Sequence, residues 1–160
     1  MKYLFTAFAL LIWSLLSSCV NNDVFEKNSS FSERGWSADV KPLYEFEISD
    51  TAASYQLYFT FRHTDAYPYS NIWLKIHANF MATPHDSVFR IEIPLAQSNG
   101  KWLGKGMNEL WEHRMPIHPA SQPIHFSHPG LYRIQIEQIM RQDPLPQVLS
   151  AGIRLEKIIS

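Results

Sequence analysis

The chain is short of the features that mark most functional classes. It has one cysteine, Cys19, in 160 residues, so no internal disulfide can form and the fold must be held by packing and hydrogen bonds. Its longest apolar run, YLFTAFALLIWSLL from Tyr3 to Leu16, falls short of the roughly 20 residues that a helix needs to cross a bilayer. Charge of one sign is also missing: 14 Lys and Arg stand against 15 Asp and Glu. With no basic stripe, nucleic acid is not an expected partner. There is no Gly-x-Ser-x-Gly elbow to present a nucleophilic serine. After residue 19, no segment keeps helical spacing through three turns, which argues against a helical fold.

What is present begins at the N-terminus. Lys2, the apolar run and the small residues Ser17 and Ser18 have the order of a secretory signal peptide. Leu16-Ser17-Ser18-Cys19 resembles a bacterial lipobox, in which the chain is cut before the cysteine and the thiol is acylated. The expectation is therefore a signal peptide over 1–18 and a lipid on Cys19. Acylation also removes the liability of a lone thiol in an oxidising compartment. Removing 18 of the 160 residues leaves 142, enough for one domain with a real core. Val20, and not Asp, follows the cysteine, which favours the outer membrane over retention at the inner one.

Residues 19–42 are polar, rich in Asn, Ser and charge, and read as an acylated cysteine with a tether that begins to order near Trp36. From 43 to 160 the pattern is a succession of short runs with a period of two. Tyr55, Leu57, Phe59 and Phe61 alternate with polar residues in SYQLYFTFRH (54–63), as expected of a strand buried on one face. The same alternation occurs in IWLKIHANF (72–80), VFRIEIPL (88–95), LYRIQIEQI (131–139) and AGIRLEKI (151–158). Pro, Gly, Asn and Asp punctuate the runs. The expected fold is an all-β antiparallel sandwich, jelly-roll or immunoglobulin-like, with a barrel as the rival.

Candidate chemistry is sparse. Of seven histidines, the pairs His113/His118 and His125/His128 match no zinc spacing, and they read better as polar turn residues than as metal ligands. Glu92, Glu109, Glu112 and Glu137 are carboxylates that could pair only by converging in space. Aromatics carry more. Trp73 shares a strand face with Lys75 and His77, pointing away from the core, and exposed rings suit carbohydrate or protein contacts. In YPYSNIW, Pro68 and Asn71 can fix a loop that displays Tyr67 and Tyr69. In GKWLGKG (100–106) the three glycines around Trp102 suggest a turn where backbone approaches closely or takes positive φ. Arg141, beside Asp143, can form a loop ion pair.

Three stretches, YPYSNIWLKI (67–76), KWLGKGMNELWEHR (101–114) and GLYRIQIEQIMRQDPLPQVLSAGIRLEKI (130–158), together resemble the gliding-motility lipoprotein GldH family. The most specific pieces are Gly100–Gly106 and Gln138-x-Met140-Arg141. After Pro144-Leu145-Pro146 the family pattern would continue Gly-Ile, where this chain has Gln147-Val148. The resemblance implies a non-catalytic envelope lipoprotein that works with other proteins of the gliding machinery and is held to the membrane by its lipid. It implies no cofactor, no metal and no small-molecule substrate. Cys19 would carry the lipid, and Tyr67, Tyr69, Trp73, Trp102 and Arg141 are the candidate partner contacts. The alternative from another class is a surface glycan-binding module or glycan hydrolase.

Overall fold

A computed structural model describes residues 24–80, 87–119 and 121–158; the expected signal peptide and Cys19 lie outside the described residues. The strands are β1 (Val24–Ser30), β2 (Gly35–Trp36), β3 (Leu43–Ile48), β4 (Ser54–Thr64), β5 (Asn71–Phe80) and β6 (Ser87–Pro94). They continue with β7 (Lys105–Met107), β8 (Leu110–Pro116), β9 (Gly130–Gln138), β10 (Leu145–Pro146) and β11 (Val148–Ile158). All pairings are antiparallel. One sheet has the order β1-β11-β4-β8-β7, a second β3-β9-β5-β6, and β10 pairs with β2.

Alternation makes the core. Tyr44, Phe46 and Ile48 of β3, Ile72, Leu74, Ile76 and Ala78 of β5, and Tyr132, Ile134 and Ile136 of β9 are buried on one face of the second sheet. Leu57, Phe59 and Phe61 of β4 and Ala151, Ile153 and Leu155 of β11 complete the same cluster from the first sheet. The sheets touch across it: the Tyr44 hydroxyl donates to the Ala151 carbonyl at 2.8 Å, and the Phe25 and Phe46 rings lie 5.5 Å apart. Burying each such ring or aliphatic side chain contributes about 1.5–3 kcal/mol.

Two sequence expectations change. The polar lead-in orders earlier than Trp36, because Val24–Ser30 pairs along β11 as β1. Its polar residues conceal a strand that needs only Phe25 against the core, while Ser29 and Asn28 reach Tyr44 and Thr60 by hydrogen bonds. Trp36 is wholly buried, with its indole N–H on the Val40 carbonyl at 2.8 Å. Strand β4 is also covered on more than one face. Gln56 and Thr60 are buried, the first bonded to the His118 carbonyl at 3.1 Å and the second to the Asn28 side chain at 2.6 Å.

Strand β8 has inward Trp111, His113 and Met115 between outward Glu112 and Arg114, and it joins β7 through Asn108–Glu109. Both turn residues have positive φ, 50° and 65°, the geometry of a two-residue type I′ hairpin whose twist suits the strands.

Candidate functional site

The most developed cluster lies where the end of β4, the loop behind it and the β7–β8 hairpin meet. His63 and His113 are diagonal neighbours across the β4–β8 pairing, which sets His63 opposite Trp111 and His113 opposite Phe61; both are wholly buried, with their Nε2 atoms 2.9 Å apart. Geometry fixes the protons. His63 Nδ1 lies 2.7 Å from the Thr64 carbonyl, which can only accept, so Nδ1 carries the hydrogen. His63 Nε2 is then the acceptor and His113 Nε2 the donor. The remaining nitrogen, His113 Nδ1, is buried with no hydrogen-bond partner among the described residues.

Burial holds both rings neutral. The His113 imidazole is pushed down to about 4, by desolvation first and by the neighbouring His63 second. Desolvation also lowers His63, against the opposing pull of the Thr64 carbonyl and the Asp65 charge. A buried polar group that lacks a partner is costly; here three of the four ring nitrogens are bonded, which confines that cost to His113 Nδ1. Trp102 packs 4.6 Å from His63, and Tyr67 4.9 Å from it.

Asp65 braces the surround. Its Oδ1 accepts the indole N–H groups of Trp102 at 3.1 Å and Trp111 at 3.0 Å. Close approach explains two glycines of GKWLGKG. A Cβ on Gly104 would meet the Glu112 carbonyl at 2.5 Å and the His113 ring at 2.9 Å; one on Gly106 would meet the Trp111 ring at 2.8 Å. The hairpin that these glycines seat carries an exposed apolar rim, with Met107 75% exposed and Leu110 43%; Leu103, 42% exposed, lies just before it. On one side of it lies a cleft of about 320 Å³ lined by Asp65, Gly106, Met107, Asn108, Glu109 and Trp111. On the other is a groove of about 500 Å³ whose floor holds Glu26, Glu112, Arg114 and Arg154.

The structure gathers the candidate contact residues, but not all as a displayed surface. Tyr67 is 4% exposed, so the expected display is corrected. Its ring packs on Phe61 and His63, and its hydroxyl donates to the Asn71 carbonyl at 3.1 Å. Tyr69 is half-buried and donates to Gln142 at 2.8 Å, which ties the 67–71 loop to the segment that holds exposed Arg141. Asp143 accepts the Ala38 backbone N–H at 2.9 Å, and no ion pair joins it to Arg141 among the described residues. Trp73 is 41% exposed on the outer face of β5; its backbone bonds the Met140 sulfur and the Ile139 N–H.

The histidine reading is corrected too. His113 sits in a strand and not in a turn, and His118 accepts the Leu57 N–H at 3.2 Å; His125 and His128 are exposed. No group of three or more His, Cys, Asp or Glu among the described residues is placed to hold a metal ion. The four carboxylates do not converge. Glu137 meets Lys41, Lys75 and His77 at 3.2, 3.7 and 3.5 Å, and Glu112 pairs with Arg62 at 3.3 Å. Burial pushes the Glu137 carboxyl up, but Lys41, Lys75 and His77 together hold it below its ordinary range. Sequence reasoning missed His63, Asp65, Trp111 and Met107. For Asp65 no local signal exists, since its indole donors lie 37 and 46 residues away.

Fold and site define an all-β protein of antiparallel sheets whose most elaborate surface is an apolar hairpin rim seated on buried rings. The family model described as GldH lipoprotein matches residues 23–155, and the chain belongs to that family. It is similar to the "Gliding motility lipoprotein GldH homolog" of Christiangramia forsetii, 27% identical with 98% of each chain covered. It is also similar to the "Gliding motility lipoprotein GldH" of Flavobacterium johnsoniae, 24% identical over 92% of this chain and 93% of that one. Among solved structures, the infectious bursal disease virus VP2 subviral particle aligns at 15% identity over 85% of this chain and 31% of that one. Its TM-score of 0.29 carries no argument.

Proposed function

We propose that the chain is a non-catalytic lipoprotein of the bacterial gliding motility machinery, anchored by acylated Cys19 to the outer membrane and acting by protein contact. The observation that carries this reading is the end-to-end similarity to two gliding motility lipoproteins. The two sheets form a sandwich standing off the membrane, and the β7–β8 rim, with Met107 at its tip, is the surface that meets other envelope proteins of the machine. Exposed apolar side chains grouped on one hairpin suit an interface better than they suit solvent. A multiply acylated cysteine supplies stable attachment where one acyl chain would not.

In-cell crosslinking of a chain tagged after Ser160, followed by mass spectrometry, tests the contact. Capture of gliding-complex proteins that drops with Met107→Glu, in a variant that unfolds at the parent temperature, is expected. Undiminished capture would move the interface elsewhere. Cys19→Ala should release the folded chain from carbonate-washed membranes; retention in the pellet would refute the anchor.

One observation favours a second reading, a surface glycan-binding module or glycan hydrolase: the exposed ring of Trp73 beside Lys75 and His77. Saturable polysaccharide binding lost in Trp73→Ala would support it.

A further inference from the structure

We propose that the chain self-associates through the open edge of β6, two copies pairing antiparallel about a two-fold axis at Ile91. Strand β6 ends its sheet: β5 lies on one side, and no strand among the described residues lies on the other. An unpaired edge is a template for another strand. The direction of its main-chain groups follows from one bond. The Leu95 N–H donates to the Ser70 carbonyl at 2.7 Å, which continues the register that sets Ile93 opposite Ile72. In an antiparallel ladder alternate residues bond the same neighbour. Phe89, Ile91 and Ile93 therefore turn their main chain toward β5, and Val88, Arg90 and Glu92 turn theirs outward. Pro94, which lacks an N–H, falls in the outward set, where it breaks no bond to β5.

Side chains select the partner. Pairing centred on Ile91 sets Arg90 opposite Glu92 of the second copy, and symmetry repeats the charge pair on the other side of the axis. On the inner face Ile91 meets Ile91, and Phe89 falls at the register position of Ile93, whose side chain its own chain already buries. Phe89 points toward the core yet is 41% exposed, beside an apolar cleft of about 160 Å³ that Phe46, Ile76 and Phe126 help to line. The second copy covers that opening. Other edges fit themselves less well. Self-pairing of β3 would oppose the acids Glu45 and Glu47, Glu26 of β1 is already neutralised by Arg154 whereas Glu92 is held only by the uncharged Asn71 amide, and β7 has three residues.

The pair at the axis is of the non-hydrogen-bonded kind, in which side chains come closest, close enough for a disulfide. The full chain with Ile91→Cys, oxidised mildly in membranes and run on a non-reducing gel, should give a dimer of twice the chain mass. The parent chain, with Cys19 alone, sets the background. Adding Arg90→Glu, or separately Glu92→Arg, should lower the yield about tenfold. Mixing those two charge variants should restore it, because each then meets its complement. No dimer above background, a yield indifferent to the charges, or a crosslink only to a protein of another mass would each overturn the proposal.

Discussion

Acid should unfold this protein through its buried imidazole pair. In the unfolded chain His113 takes a proton near the ordinary value of about 6.5, whereas in the fold it resists protonation down to about 4. Throughout that window the unfolded state holds the extra proton, so stability is full above the window and falls as pH drops through it. The gap corresponds to about 3 kcal/mol from His113 alone, and His63, lowered in the same direction, adds to the loss. Near pH 5 the His113 contribution to the slope is about 1 kcal/mol per pH unit. His113→Gln isolates it, since a glutamine amide can still donate to His63 Nε2 and does not titrate. Any packing defect lowers the variant's whole curve without changing its slope. Urea unfolding of the purified protein between pH 7 and pH 4.5 measures both. A wild-type curve no steeper than that of His113→Gln would mean that the imidazole already carries its proton in the fold, and the tautomer assignment would fall with it.

Two more variants test the seat of the hairpin and the turn behind it. Gly104→Ala drives a methyl against the Glu112 carbonyl and the His113 ring and should cost about 1–3 kcal/mol in denaturant unfolding; a change within about 0.5 kcal/mol would show that the close approach does not constrain the position. At Gln147, φ is 64° and the side chain accepts the Thr64 hydroxyl at 2.7 Å. Gln147→Ala loses that bond and keeps the left-handed backbone, for about 1 kcal/mol. Gln147→Gly also loses the bond but removes a conformational cost of similar size, so glycine should be the more stable of the two, and the reverse order would refute the argument.

The strands that could be read from the sequence are those whose inward positions are aliphatic or aromatic. The runs at 54–63, 72–80, 88–95, 131–139 and 151–158 coincide with β4, β5, β6, β9 and β11 within a few residues. Strand β3 shares that alternation, with Tyr44, Phe46 and Ile48 inward, whereas two strands not anticipated, β1 and β8, carry polar residues inward for particular reasons. In β8 the middle inward residue is His113, which hides a period of two. In β1 Phe25 is the one large apolar residue, and the strand is held by its pairing with β11. Hairpin β7–β8 turns on Asn108–Glu109, and no glycine advertises the positive φ there. The departure at Gln147 has a physical reading as well: the left-handed backbone that would favour glycine is present, and a side-chain bond to Thr64 accompanies the glutamine.

The candidate site was legible in its parts and not in its orientation. Glycines near Trp102 did signal close approach, but what they approach is the buried His113 and the Trp111 ring, residues that became neighbours only through an unanticipated strand. Tyr67 and Trp102 consequently support the surface from beneath. Their hydroxyl and indole N–H are committed to Asn71 and Asp65, and Tyr67 is nearly inaccessible to a partner. This placement changes how mutations should be interpreted. Loss of partner capture in Trp102→Ala would report collapse of the ring cluster that seats the hairpin, and it should come with a lower unfolding temperature. Met107 makes no comparable commitment and is largely exposed, so a charge placed there alters the surface and leaves the seat intact. Of the two, a defect at Met107 in a protein of unchanged stability is the one that identifies a contact.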